Sequence, residues 1–329
     1  MKHLSKELLK IAEDIRTMKI RGASRIGRAA AECLRLASKN SKARTVDQFT
    51  TEIERAARIL INTRPTAVSL PNSVRFVIHR MREAKKNTSS VQTVRDETVR
   101  ACNDFVQNSR MAARQIAEIG SNRINEGDVL MTHCQSSVVS LLIKTAQSRG
   151  KRIKVFVTET RPRFQGRITA KDLSEAGVPV TIITDSAARH FMSKVDKVIV
   201  GADAVAANGA LVNKIGTSMI ALAAHESRIP FLVAAESYKF SPETMLGELV
   251  EIEERDASEL IPLAKLRKMK NARVSNPAFD VTPPEYIDLF ITERGIIPPQ
   301  GALLLIQQVF GVISPEELKE FRSHGVTSE

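Results

Sequence analysis

The chain has 329 residues, 43% hydrophobic and 26% charged, which suits a folded protein with one large core or two and excludes global disorder. No apolar run approaches the roughly 18 residues that span a bilayer, and no apolar signal segment follows the charged residues Met1 to Lys10, so membrane insertion and secretion are not expected. The net charge of +12 is one-sided: residues 1–120 hold 24 Lys and Arg against 12 Asp and Glu, and residues 121–329 hold 25 against 25, a bias that suits anionic ligands.

In chain order, the spacing of apolar residues predicts helices first. Leu8, Leu9, Ile11, Ala12 and Ile15 mark one, Ser24 to Ala37 a second, and Thr50 to Ile61 a third. A fourth follows Arg64-Pro65 with Val74, Val77 and Ile78, and a fifth runs from about Val94 to Ile119 before Gly120-Ser121-Asn122. Beyond Asn122 the rhythm changes to short β-rich runs at Val129–Thr132, Ile153–Thr158, Val180–Thr184, Lys197–Val200, Phe231–Ala234 and Leu289–Ile291. These runs are apolar rather than alternating, as strands covered on both faces should be. Helix-sized blocks separate them at Ser137–Ser148, Thr169–Ala176, Ala187–Met192 and Thr217–His225. The order predicts an α/β fold, a mainly parallel sheet with crossover helices behind a helical N-terminal region. The division expected is 1–122 and 123–329. Residues 241–285, with proline and mixed charge, read as irregular structure, and Ser314-Pro-Glu-Glu317 reads as a helix start.

The polar residues after each strand carry the functional signal. The first strand runs into His133-Cys134, the second ends at Glu159-Thr160-Arg161, and the third ends at Asp185. The fourth leads to Asp203 and the fifth to Glu236. In a parallel sheet these ends share the carboxyl edge, where open α/β sheets bind ligands. Each residue taken singly also reads as a helix cap or a small buried group.

Cys134 stands before a helix opened by Gln135-Ser136-Ser137, and a helix N-terminus lowers a nearby thiol pKa and offers N–H groups to an anion. His133 adds a charge or a hydrogen bond beside it. Cys33 and Cys102 lie in helical patterns and read as core; three cysteines make neither a disulfide framework nor a closed thiolate zinc site. Asn208-Gly209 predicts a tight turn. Asn213-Lys214-Ile215-Gly216-Thr217 reads as a helix opening, with Lys214 set for an anionic oxygen.

A second constellation is basic. Arg21-Gly22-Ala23-Ser24 opens a helix, so Arg21 and the Gly22 and Ala23 amides suit a phosphate, and Arg25 and Arg28 follow on one face. Arg64 is held before Pro65, and Arg161 follows the second strand. There is no dinucleotide fingerprint or Walker run, and no metal-ligand spacing. No cofactor or metal is implied. Absent Trp and only two Tyr leave few base-stacking platforms, so nucleic acid is not the expected partner.

These residues together carry a resemblance. Arg21-Gly22-Ala23, Thr132-His133-Cys134, Glu159-Thr160-Arg161-Pro162, Gln165-Gly166, Gly201-Ala202-Asp203 and Asn213-Lys214-Ile215-Gly216-Thr217 are similar to the marks of one family. It contains the alpha, beta and delta subunits of eukaryotic translation initiation factor 2B, methylthioribose-1-phosphate isomerase and archaeal ribose-1,5-bisphosphate isomerase. The resemblance implies a helical N-terminal domain that contributes phosphate-binding residues and a Rossmann-like catalytic domain. It implies a catalytic pair, Cys134 and Asp203, which the regulatory subunits generally lack. The substrate side would use Arg21, Gly22, Ala23, Arg64, Ser136, Ser137, Asn213 and Lys214, supported by His133, Glu159 and Arg161.

Within the family, Gln135 departs from the Thr-His-Cys-Asn of the methylthioribose enzymes. The expectation is therefore isomerisation of ribose 1,5-bisphosphate through a cis-phosphoenolate. A regulatory translation-factor subunit and a methylthioribose-1-phosphate isomerase are the alternatives. The resemblance further implies a cytoplasmic homo-oligomer, a hexamer built as a trimer of dimers, and, from its setting in AMP metabolism, an AMP activator.

Overall fold

In the computed structural model, the described residues are 6–20, 22–64, 67–247 and 249–311. Two compact units emerge. The first holds the chain to Met111 together with Ser241–Leu246, and the second holds Ala112–Phe240 and Gly247–Val309. The division falls inside a helix rather than at its end.

The first unit is helical. Helices α1 (Lys6–Arg16), α2 (Ala23–Asn40), α3 (Val46–Ile61) and α4 (Ser69–Asn87) precede the long α5 (Val91–Ser121). Each turns one apolar stripe inward: Leu8, Ala12 and Ile15, then Ile26, Ala30, Cys33 and Leu34, then Phe49, Ile53 and Leu60, then Val74, Val77 and Met81. Val94 and Cys102 of α5 belong to this core, whereas Ile116 and Ala117 belong to the core of the second unit. That is why the helix is shared between them.

The second unit is built on strands β1 (Val129–Thr132), β2 (Lys154–Thr158), β3 (Val180–Ile183) and β4 (Lys197–Val200). Then come β5 (Ala204–Val205), β6 (Leu211–Lys214), β7 (Phe231–Ala234), β8 (Phe279–Thr282), β9 (Leu289–Thr292) and β10 (Gly295–Ile297). Helices α6 (Ser137–Ser148), α7 (Gln165–Glu175), α8 (Ala188–Phe191), α9 (Thr217–Glu226), α10 (Leu263–Leu266) and α11 (Ala302–Phe310) connect or follow them. The main sheet has seven strands in the order β10-β9-β7-β4-β1-β2-β3. All pairs are parallel except β9 with β10.

The six strands expected from sequence are six of the seven in this sheet, with one departure from the two-sided covering. Thr181 and Ile182 of β3 are exposed, because β3 is an edge. Four strands were not foreseen: β10 adds an antiparallel edge to the main sheet, and the other three lie apart from it. β5, β6 and β8 make a small antiparallel sheet, so Asn213 and Lys214 end a strand, and the helix they were expected to open starts at Thr217. β8 likewise corrects the irregular reading of residues 241–285. The expected helix start at Ser314 lies outside the described residues.

The chain moves outward from β1 through β2 to β3, then returns to the other side of β1 as β4. The strand order therefore reverses between β1 and β4, and a crevice opens beyond their carboxyl ends. Cys134 leaves β1 and Asp203 leaves β4 at that point.

Candidate active site

One wall of the crevice is formed by the ends of β1, β2 and β3. Cys134 follows β1 with φ of 65°, in the left-handed region that a side chain rarely adopts. Its N–H donates to Thr160 Oγ1 at 2.9 Å, and its carbonyl accepts from Thr169 Oγ1 at 2.8 Å. Thr160, just past β2, is also left-handed at 62° and fully buried. Its own N–H and that of Arg161 both donate to the Asp185 carboxylate beyond β3, at 2.7 and 2.6 Å. Gly166 completes the wall: a Cβ there would stand 1.7 Å from the Thr158 carbonyl oxygen, so only glycine lets α7 start against β2.

The other wall is the turn from β6 into α9. Lys214 is buried with Nζ 5.0 Å from the centre of the Phe279 ring. Asn213 is buried and donates from Nδ2 to Thr217 Oγ1 at 3.1 Å, while Thr217 Oγ1 donates to the Lys214 carbonyl at 2.6 Å. Asp280, opposite Asn213 across the β6–β8 ladder, accepts the Gly216 N–H at 2.7 Å and the Ser218 N–H at 3.2 Å. Its carboxylate thus closes the N-terminus of α9. Burial outweighs these bonds and pushes the Asp280 carboxyl up to about 6.

His133 joins the walls. It is buried, its Nε2 lies 2.9 Å from the Ile215 carbonyl and its Nδ1 2.6 Å from Thr158 Oγ1. A carbonyl only accepts, so the ring carries its proton on Nε2 and takes the Thr158 hydroxyl on Nδ1. Burial holds its pKa down to about 4. The ring is neutral near pH 7, and the charge expected beside the thiol is absent; the hydrogen bond is present twice over. The β4 end is equally close: a Cβ on Gly201 would stand 2.7 Å from Ser136 Oγ, so the Gly201-Ala202-Asp203 turn runs against the start of α6.

Asp203 itself is half-buried, with its N–H donating to the Val212 carbonyl at 3.0 Å. Three ionisable groups act on one another here. Burial pushes the Cys134 thiol up to about 12, with Lys214 drawing it down and Asp203 pushing it further up. Burial lowers the Lys214 ammonium, opposed by Cys134 and Asp203. The lowering expected at the start of α6 is outweighed: burial raises the Cys134 thiol more than Lys214 and the Gln135 N–H lower it, which favours the protonated thiol.

The remaining sequence candidates are less convergent. Ser136 caps α6, its Oγ accepting from Val139 N–H at 3.3 Å, and Ser137 is the exposed first residue of that helix. Glu159 pairs with Arg167 at 2.8 Å, and the exposed Arg161 lies with its guanidinium 4.9 Å from the Phe164 ring centre. Neither charged head reaches the thiol through a bond described here; Arg161 contributes its backbone N–H.

In the first unit, Gly22 caps α2 with φ of 88°, Ala23 begins that helix and Arg64 is half-buried. Arg28 donates to Ser109 Oγ at 3.0 Å. Arg21 lies outside the described residues. Cys33 and Cys102 are buried, with Cys33 pushed up to about 12 by burial and Cys102 also pushed up, as core thiols should be.

Sequence reasoning set Thr160 and Asp185 on the carboxyl edge without a role for either, and it missed Thr169 and Asp280. It gave no role to Gln165, whose Oε1 is buried without a hydrogen-bond partner among the described residues, and it did not foresee that Lys239 pairs with the expected Glu236 at 2.7 Å. Thr160 and Gln165 stood inside recognisable runs, whereas Asp280 had only the short Phe-Asp-Val-Thr strand as its signal. Among the described residues no three His, Cys, Asp or Glu side chains converge as metal ligands, and no helix is long and apolar enough to cross a membrane.

Comparison with known proteins matches residues 19–299 to the sequence model of the Initiation factor 2 subunit family. A ribose 1,5-bisphosphate isomerase of Thermococcus kodakarensis is 53% identical over 307 residues, covering 93% of this chain and 95% of the relative. A methylthioribose-1-phosphate isomerase of Pelotomaculum thermopropionicum is 39% identical over 305 residues, covering 89% and 83%. The solved structure of a translation initiation factor eIF-2B from Pyrococcus horikoshii OT3 is 34% identical with a TM-score of 0.77, covering 90% of this chain and 98% of that one.

Proposed function

The chain belongs to the Initiation factor 2 subunit family, and we propose that within it the chain isomerises α-D-ribose 1,5-bisphosphate to D-ribulose 1,5-bisphosphate. The observation that carries this reading is the mutual influence of a half-buried thiol, a half-buried carboxylate and a buried lysine at Cys134, Asp203 and Lys214 beside the switch-point crevice. The isomerase name of relatives near half identity supports the same choice.

The substrate's anomeric oxygen is blocked by phosphate, so the ring opens only if the bond from C1 to the ring oxygen breaks. In the proposed route Asp203 protonates that oxygen as the bond breaks. Cys134, as thiolate, takes the proton from C2 and leaves a cis-phosphoenolate. The C2 hydroxyl proton then returns to Asp203 as the ketone forms, and Cys134 delivers its proton to C1. Protons balance, and both groups end as they began.

Such acid–base steps contribute roughly 10²–10⁴-fold each. Lys214 is the cation that draws the thiol towards thiolate, and the thiol stands near 12 with that pull included. While the thiolate fraction limits the rate, turnover should rise about tenfold per pH unit below that pKa.

The sugar phosphate needs donors to offset its desolvation. Asn213 and Lys214 are proposed for sugar oxygens or the 1-phosphate, and Ser136 and Ser137 for an anion at the start of α6. Gln165 Oε1, buried without a partner among the described residues, is proposed to accept from a sugar hydroxyl. Arg21, the Gly22 and Ala23 amides and Arg64 are proposed phosphate donors on the resemblance alone, as is the assignment of that role to residues 1–122. Glu159 and Arg161 would support the crest through its backbone. The hexamer built as a trimer of dimers, activation by AMP and a cytoplasmic location belong to the same reading, and sedimentation with and without AMP tests the first two.

Phosphorus NMR of purified protein with α-ribose 1,5-bisphosphate tests the substrate. Conversion to ribulose 1,5-bisphosphate, with methylthioribose 1-phosphate inert, is expected. Turnover of the methylthioribose compound alone would reassign the substrate, and turnover of neither would favour a regulatory subunit.

A further inference from the structure

Thr160 is an unexpected residue for its position. It is β-branched and fully buried, yet its φ of 62° is one that glycine adopts freely and a branched side chain does not. Its side chain offers a reason. The hydroxyl accepts the Cys134 N–H at 2.9 Å and lies 3.2 Å from the Thr158 carbonyl, to which it donates. The same residue is fastened from behind, because the Asp185 carboxylate accepts both the Thr160 and the Arg161 N–H. Cys134 is thus held at its N–H from β2 and at its carbonyl by Thr169 of α7.

We propose that Thr160, anchored by Asp185, is a positioning residue for Cys134, its hydroxyl holding the left-handed backbone from which the thiol works. The hydrogen bonds run from the end of β3 through β2 to β1, so the thiol's place is set by three adjacent strand ends. The proposal rests on the reading of Cys134 as the proton carrier.

The test uses Thr160→Val, which removes the hydroxyl at nearly constant shape, Thr160→Ser, which restores it, and Thr160→Gly, which frees the backbone. With ribose 1,5-bisphosphate, Thr160→Val and Thr160→Gly should lose about ten- to a hundredfold in kcat with KM within about threefold, the scale of a misplaced reacting group. Thr160→Ser should stay within about threefold of wild type.

A readout without substrate accompanies this: the rate of iodoacetamide alkylation at Cys134 against pH, followed by peptide mass spectrometry. The Val and Gly variants should change that profile, and Ser should not. If Thr160→Val fails to fold, Thr160→Gly carries the test, since it removes an unfavourable conformation. Unchanged kcat and unchanged alkylation in the Val or Gly variant would overturn the proposal. A wild type inert towards the sugar, with alkylation still responding to Thr160, would instead sink the isomerase reading and leave the positioning role standing.

Discussion

The two walls of the crevice solve the same backbone problem in opposite ways. On the thiol wall the left-handed positions that frame the sulfur are Cys134 and Thr160, both with side chains, at 65° and 62°. On the lysine wall the left-handed position is Gly216 at 99°, where a Cβ would press to 3.3 Å from the His133 ring. A left-handed non-glycine residue costs roughly 1–2 kcal/mol. That cost is tolerated where the side chain at the bend has a task, the sulfur in one case and the hydroxyl that holds it in the other. Where only the path of the chain matters, the bend is a glycine and the task falls to its neighbours Asn213 and Lys214.

The largest effect of an exchange on either wall should come from removing the cation of the lysine wall. Lys214→Met takes away the charge that draws the thiol pKa down, and a donor for an anionic oxygen. Loss of one such donor typically lowers kcat about 10²–10³-fold. The alkylation profile of Cys134 should also shift to higher pH; an unchanged profile would separate the lysine from the thiol.

Next is Gly216→Ala, which imposes on the lysine wall the strain that the thiol wall already bears. The expected cost is about 1–2 kcal/mol in urea unfolding, with turnover falling alongside. Thr160→Gly, the reverse exchange on the opposite wall, should be neutral or stabilising while turnover falls. If both glycine exchanges move stability in the same direction, the contrast between the walls is wrong.

The smallest effect is in the pH dependence of stability. The Asp280 carboxyl, raised from 3.8 to about 6, favours the folded state at low pH and loses that contribution as pH rises between those values. The His133 ring, lowered from 6.5 to about 4, does the opposite: its contribution is present above 6.5 and is lost as pH falls towards 4. In wild type the two slopes oppose one another. Asp280→Asn should therefore unmask a steeper rise in stability from pH 4 to 6, measured by urea unfolding across that range. A variant whose pH dependence matches wild type would mean that the carboxyl titrates normally.

Much of this was legible in the residues. Six of the seven strands of the main sheet are apolar runs bounded by polar crests, and the periodicity of Leu8 to Ile15 or Val74 to Ile78 marks helices with little ambiguity. Cys134 and Asp203 fall at strand ends, where a parallel sheet presents ligand groups whatever the ligand. The small sheet escaped because β5 has two residues and β6 ends in Asn213-Lys214, polar residues that read as a helix start. With β8 unread, Asp280 had no place. The balance at the thiol was not legible for a related reason: the start of α6 is visible in Ser136-Ser137, but the burial that raises the thiol is made by segments distant in sequence. His133 likewise could not be called neutral before Thr158 and Ile215 were seen on its two nitrogens.

The most direct measurement is a double-mutant cycle on the proposed pair, with kcat for ribose 1,5-bisphosphate isomerisation in wild type, Cys134→Ser, Asp203→Asn and the double variant. Groups that pass protons within one reaction act as a unit. Each single variant should lose at least about a hundredfold, and the double variant should be little worse than the poorer single one. Single variants that keep activity within about tenfold of wild type, or losses that multiply as independent effects do, would contradict a shared role for Cys134 and Asp203.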